Sequence, residues 1–349
     1  MIHPSLSMKL TGWFQVAWSA DLPDGGVKAL RYFGEDMVAF RCKAGKVRIM
    51  DAHCHHLGAH LGHGGCVVDE GIKCPFHGWV WGPDGRNALI PYQPDAPNRT
   101  RQLRVRHVRE LNHCVYLWHD VRGREPMWEV PDAYRDFGDH VRQRSFDPPG
   151  PEARSHWPGL HLHPQMLVEN IVDPHHFKYT HGTKDSPTVI DEQIGKWEWR
   201  SRVGFGRRWS EGRNPLSETL NTITIHWSGP GVSINAEHTA AGVRVVFINA
   251  TPVDDDSAEI FATYNIDRTE GDETAYRARL AEAMTSLPED VNIWHNQIFR
   301  ENPALTANEW PGWRKARGWI RRFHPEASPE DEAWVPASAA LPGLARDAQ

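Results

Sequence analysis

The chain has no apolar run approaching the eighteen or so residues of a membrane span. Its opening, MIHPSLSMKLTGWFQ, has no charged segment followed by an apolar one. Neither a transmembrane helix nor a secretory signal is expected, and a cytoplasmic setting is. A long basic block is missing and the formal net charge is -6, so the chain lacks the electrostatic footprint of a nucleic-acid binder. No G-x-G-x-x-G follows a strand-like run, so a nicotinamide cofactor would have to be handled by another protein. Cysteine is scarce and odd in number: Cys42, Cys54, Cys66, Cys74 and Cys114. Without a secretory signal, five cysteines make a poor disulfide framework, and metal ligation is the better question.

Against these absences stand 21 His and 16 Trp in 349 residues. The length calls for two domains. By count alone the histidines read equally well as surface scatter and the tryptophans as ordinary packing, so position must decide. From about Gly12 to Trp118, short runs such as GWFQVAW, MVAFRC, KVRIMDA and CVYLWHD alternate with DGG, AG and PDG turns, which predicts an all-β module. A proline-rich, charged stretch from Pro126 to Pro158 reads as a crossing between domains, with the boundary near residue 120. Beyond it, LVENIVDPHHFKYTHGT is expected to be a helix carrying histidines. SETLNTITIHW, GVSINAEHT, GVRVVFINATPV and SAEIFATYNID are expected to form an antiparallel sheet. The pattern turns helical from Asp272. Ser286-Leu-Pro-Glu289 predicts a capping box opening a further helix through about Arg300, with Leu287, Val291, Trp294 and Ile298 on one face. The expected division is 1–120, 121–325 and a tail, 326–349, that is extended or poorly ordered.

Cys54-His-His56 and Cys74-Pro-Phe-His77 place one thiol and one imidazole on each of two loops, seventeen residues apart. A binuclear iron-sulfur centre with two thiolates on one iron and two imidazoles on the other needs this inventory. A mononuclear Cys₂His₂ zinc site uses the same residue types, but normally pairs Cys with Cys and His with His in its short motifs. Gly58, Gly62, Gly64, Gly65 and Gly78 would let backbone N–H groups approach sulfur, and Trp79 and Trp81 would shield the centre.

These stretches, CHHLGAHLGHGG and CPFHGWVWGPDGR, resemble the Rieske [2Fe-2S] domain of ring-hydroxylating and related Rieske oxygenases. Respiratory Rieske proteins carry an extra cysteine on each loop. Ala59 and Phe76 stand in those places here, which fits the lower-potential oxygenase type. The resemblance implies an α+β chain, with a Rieske domain followed by a helix-grip (START-like) catalytic domain whose antiparallel sheet curls around a long helix. It also implies a mononuclear Fe(II). Asn170-Ile-Val-Asp173-Pro-His-His176-Phe-Lys-Tyr-Thr-His181 resembles the family pattern N-x-x-D-x-x-H-x₄-H at every marked position. Read alone, two histidines five apart are not quite on one helix face. The resemblance makes His176 and His181 the ligands and sets His175 aside. It takes the third ligand, a carboxylate, from a late helix. Asp290 is the choice, with a plain first-turn carboxylate as its alternative reading and Glu289 as the cap partner of Ser286. Asp173 would bridge an iron histidine to a cluster histidine of a neighbouring subunit, with plain orientation of the iron histidine as its alternative reading, and the bridge implies a head-to-tail homotrimer.

RIMDAHCHHLGAHLG, DVNIWHNQIFRENPAL and Gly229-Pro-Gly231 further resemble the steroid-acting group, the 3-ketosteroid 9α-hydroxylase oxygenase components and cholesterol 7-desaturases. The expected activity is hydroxylation of a C–H bond in a hydrophobic polycyclic, steroid-type substrate. O₂ would be the oxidant, and NAD(P)H would supply electrons through a separate flavin/iron-sulfur reductase or ferredoxin. Trp, Phe and Ile side chains between Thr219 and Ile266 would line the substrate cavity. Three alternatives stay open: O-demethylation, desaturation or dihydroxylation of another aromatic or heterocyclic substrate, a Rieske electron-transfer protein with a non-catalytic lipid-binding domain, or a zinc-stabilised binding module.

Overall fold

The computed structural model describes residues 6–183, 186–205, 220–239, 242–269 and 271–336. Its first strand, β1 (Gly12–Trp18), is buried at every position, as expected of a strand covered on both faces. Phe14 and Val16 join a core with Leu30, Ala39 and Ile49. Trp13 and Trp18 face the other way, into Val232, Ile234, Phe247 and Phe261. An irregularity between Gln15 and Ala17 explains how an odd and an even residue reach one face, because a bulge resets the two-residue alternation. β1 pairs with β10 (Cys114–His119), which pairs with β9 (Val108–Leu111). Two more antiparallel sheets complete this half: β2 (Val27–Tyr32), β3 (Glu35–Arg41) and β4 (Val47–Asp51), then β5 (Cys66–Val68), β6 (Gly71–Lys73), β7 (Val80–Trp81) and β8 (Asn87–Leu89).

The C-terminal half is built on a seven-stranded antiparallel sheet in the order β11 (Arg154–Leu160), β17 (Ala258–Ile266), β16 (Gly242–Pro252), β15 (Val232–Thr239), β14 (Leu220–Ser228), β13 (Glu198–Gly204) and β12 (Thr188–Ile194). One face packs on helices around Leu167, Leu280, Leu287, Trp294 and Trp319. The opposite face closes on the tryptophans of β1 and β10, so the two halves share a core. Buried polar contacts wire that junction. Gln15 Oε1 accepts from Asn249 Nδ2 at 2.7 Å, its carbonyl accepts from Thr251 Oγ1 at 2.6 Å, and Trp18 Nε1 donates to Thr263 Oγ1 at 2.8 Å. The arrangement is α+β, and among the described residues no helix is long and apolar enough to cross a membrane.

Four expectations need correction. The histidine-bearing segment is two short helices, α2 (Pro164–Glu169) and α3 (His175–Tyr179), the first of four residues, Asp139–Arg142, being α1. Asp173 (φ -110°, ψ 84°) interrupts the helix because the residue before a proline is pushed out of the helical region. The grip is closed by α4 (Glu273–Ala283), α5 (Leu287–Asn296) and α6 (Trp310–Ile320), of eleven, ten and eleven residues, rather than by one long helix. Ile298 lies beyond α5 and is exposed, and Ser286 makes no side-chain cap, so the predicted capping box is not formed. The start of the tail is docked: Ser328 and Asp331 form a capping box on α7 (Pro329–Ala333), and Glu332 pairs with Arg122 at 2.8 Å. Residues 337–349 of the expected tail and the start of SETLNTITIHW lie outside the described residues.

Candidate metal centres

The two cysteine loops have matching backbones. Cys54 N–H donates to the Ala59 carbonyl and Gly58 N–H to the Cys54 carbonyl, both at 2.9 Å. Cys74 and Gly78 repeat the pattern with the Trp79 and Cys74 carbonyls at 2.8 and 3.2 Å. Gly58 and Gly78 close these turns at φ +80° and +69°, where a side chain would be strained. Both thiols are thereby buried, and the His56 and His77 rings meet with centroids 4.7 Å apart. Trp79 stacks on His56 at 4.5 Å, while the Trp81 indole N–H reaches Cys54 Sγ at 3.2 Å, a contact the sequence did not disclose. All five cysteines are free thiols.

These residues fit an iron-sulfur cluster. Burial pushes the Cys54 thiol up and the adjacent Cys74 adds to it, so a bound cation is what would favour the Cys54 thiolate. His77 Nδ1 is buried with no hydrogen-bond partner, as a ligating nitrogen would be. Ligands of one tetrahedral zinc, at bond lengths of about 2.0–2.3 Å, would all lie within 4.8 Å of each other. Among the described residues the set meeting that spacing is a different one: His176, His181 and Asp290.

In that second set Asp290 lies more than a hundred residues of sequence from the two histidines, and packing brings them together. Asp173 Oδ1 accepts the His175 and His176 backbone N–H groups at 3.0 and 3.3 Å and so starts α3. The Asp173 carbonyl oxygen accepts a hydrogen bond from His176 Nδ1–H, which leaves Nε2 as the lone-pair nitrogen. Glu289 Oε2 lies 2.9 Å from His181 Nδ1 and imposes the same tautomer, while Asp290 Oδ1 lies 3.2 Å from His181 Nε2. Glu289 is therefore an orienting partner of His181, not a cap. The sequence shows only that two adjacent acids on a helix point about 100° apart, and not which of them meets a histidine. His175 is exposed and bonded to Ser186 at 2.9 Å, outside the donor set. Burial lowers the His176 pKa. At His181 burial works in the same direction, but the hydrogen bonds and charges of Asp290 and Glu289 outweigh it, and the pKa is raised. Two imidazoles and one carboxylate converging on a partly acidic point suit a divalent metal of the kind that non-haem iron sites hold.

The three donors and Asn170 are among the residues lining a cleft of about 840 Å³, solvent-open mouth included, between the sheet and α2, α3 and α5. Ile223, Ile225, Trp227 and Ile248 supply most of its sheet wall; Phe247 and Phe261 face the other core.

Residues 12–107 match the Rieske [2Fe-2S] domain, and residues 117–324, more than half the chain, match the 3-ketosteroid 9alpha-hydroxylase C-terminal domain. The chain is 27% identical over 347 residues to the Xenopus laevis protein named cholesterol 7-desaturase nvd, covering 91% of this chain and 72% of that one. It is also 27% identical over 333 residues to the 3-ketosteroid-9-alpha-monooxygenase oxygenase component of Rhodococcus rhodochrous, covering 90% and 83%. In fold it is similar to Pseudomonas putida NdmA, solved with caffeine, at a TM-score of 0.69, 17% identity and 89% coverage of both chains. With a [2Fe-2S] domain leading into that catalytic domain, the chain is an oxidoreductase and belongs to the Rieske oxygenases, in the group defined by the 3-ketosteroid 9alpha-hydroxylase C-terminal domain.

Proposed function

We propose that the chain is the terminal oxygenase component of a monooxygenase that hydroxylates a C–H bond of a hydrophobic, steroid-type substrate. The observation that carries this reading is the cleft, whose apolar sheet wall faces the His176, His181 and Asp290 donors. In this reading Cys54, Cys74, His56 and His77 hold the cluster, and His176, His181 and Asp290 hold a mononuclear Fe(II). When bound, the cluster supplies single electrons and the iron supplies O₂ activation. The protein's own part is positional. Trp81 N–H stabilises added charge at Cys54, and the Asp173 carbonyl and Glu289 fix both imidazole tautomers. The isoleucines hold the substrate and exclude water.

Electrons would come from NAD(P)H through a separate reductase or ferredoxin, and subunits would associate head to tail as a homotrimer. Leu57 and Phe76 support that contact: beside the cluster histidines they are 66% and 61% exposed, and Tyr179 beside the iron histidines is 73% exposed. Asp173 keeps its second carboxylate oxygen for a cluster histidine of the neighbour. The reading places the domain division near residue 120 and the protein in the cytoplasm, where free thiols persist.

The test is to purify the protein anaerobically, measure iron and acid-labile sulfide, and run turnover with a surrogate reductase and a fused-ring ketone. About three irons per chain and a product heavier by one oxygen are expected. Two irons without O₂ uptake would reduce the chain to an electron carrier, and a product lighter by two hydrogens would make it a desaturase, as the nvd relatives are named.

A further inference from the structure

Strand β15 alternates strictly. Val232, Ile234 and Ala236 enter the core shared with β1, while Ser233, Asn235 and Glu237 line the cleft. Register sets each cleft-facing polar residue opposite an apolar one on β14: Ser233 opposite Trp227, Asn235 opposite Ile225 and Glu237 opposite Ile223. On the other side Asn235 faces Val246. A polar stripe about 13 Å long thus runs along an otherwise apolar wall.

The three members differ in what they bind. Glu237 is occupied: its carboxylate accepts from Arg244 Nε at 2.5 Å, so the stripe presents a neutralised ion pair there. Asn235 and Ser233 are only 8% and 3% exposed, and neither side chain makes a hydrogen bond to any described residue. What remains of their surface faces the cleft. Neither residue is among the fully buried polar side chains that lack a partner, so water in the open cleft serves them, and when a bound molecule displaces that water the apolar cross-strand neighbours cannot replace its hydrogen bonds. A ligand can.

We propose that Asn235, assisted by Ser233, is a substrate anchor: the cleft takes an uncharged fused-ring molecule bearing a ketone or hydroxyl oxygen and discriminates against the oxygen-free hydrocarbon. The Asn235 amide offers N–H to a ketone and both N–H and carbonyl to a hydroxyl. The Glu237–Arg244 pair leaves no unbalanced charge on the stripe to hold a carboxylate or an amine. The anchor rests on the fused-ring reading above and adds to it which chemical handle is recognised, and by which residues.

Binding to the full chain tests this without turnover, because Trp227 and Trp294 line the cleft and their fluorescence reports occupancy. The probes are an androstane diketone and the parent hydrocarbon androstane. The diketone should bind about tenfold to a hundredfold more tightly, the range expected when a buried polar group is left unpaired. Asn235→Leu should erase most of that preference by weakening the diketone alone, and Ser233→Ala, a truncation too small to disturb the sheet, should erase part of it. Thermal unfolding of both variants verifies the fold. Equal binding of the two probes, or a preference unchanged in folded variants, overturns the anchor while leaving the fused-ring reading standing. Binding of neither probe overturns that reading and the anchor with it.

Discussion

The two candidate metal centres are put together in opposite ways. Every donor of the first lies between Cys54 and His77, on loops whose backbones close on themselves through Gly58 and Gly78. The donors of the second come from α3, the turn after it and α5. They meet because Leu287, Val291 and Trp294 seat α5 in the core that also buries Leu167 and Ile171 of the α2 segment. Turn chemistry shapes one centre and tertiary packing the other, so the second should be easier to lose without the first.

Removing a ligand from each should produce the largest contrast. His181→Ala should abolish turnover and lower iron from about three to about two per chain, with sulfide and the reduced-cluster EPR signal retained; Cys74→Ser should remove sulfide and signal together. If His181→Ala also strips the cluster, the two centres are not separable as argued. A smaller effect is expected at Glu289. Glu289→Gln keeps the size but weakens the hold on the His181 tautomer, and titration with Fe(II) should show affinity at the mononuclear site reduced about tenfold to a hundredfold, with the cluster spectrum unchanged. Unaltered iron affinity would mean that packing alone orients the ring.

The mildest test uses acid. Burial pushes His163 to about 4, His324 to about 3 and, at the junction of the halves, His119 to about 4. Each is lower than the unfolded value near 6.5, so the unfolded chain binds the extra protons. The stability that these neutral rings allow is therefore complete above about pH 6.5 and is lost as pH falls towards 4 and 3. Denaturant unfolding should show a slope of at most about 1.4 kcal/mol per pH unit for each ring through that window, and His324→Gln should flatten it by about one ring's share. A profile flat from pH 7 to 5 would show that these rings do not govern acid stability.

The contrast between the centres also explains what the sequence could disclose. Spacing alone brings Cys54, His56, Cys74 and His77 forward as a candidate set because the two loops are local. The strands of both halves were visible where apolar residues recur, as in GVRVVFINATPV, while β11 (RSHWPGL) and β12 (TVIDEQI) carry polar residues on exposed stretches and gave no such signal. Asp290 stands out from the other carboxylates only through family resemblance. Local capping rules pair Glu289 with Ser286, whereas its contact, His181, lies 108 residues away. The helix that the histidine pattern predicts through Asp173 is broken by the proline after it. Ser233 and Asn235 carry no signal in the sequence, because nothing in a β-strand's alternation says which face is core and which is cleft.

Gln15, with its side chain on Asn249 and its carbonyl on Thr251, makes the seam between the halves a hydrogen-bonded surface rather than a hinge. A chimaera spliced at residue 120 would graft a foreign β1 onto this sheet and orphan those buried groups. Exchange of redox modules between relatives would then have to carry β1, β10 and the facing residues of β15 and β16 as one heritable block.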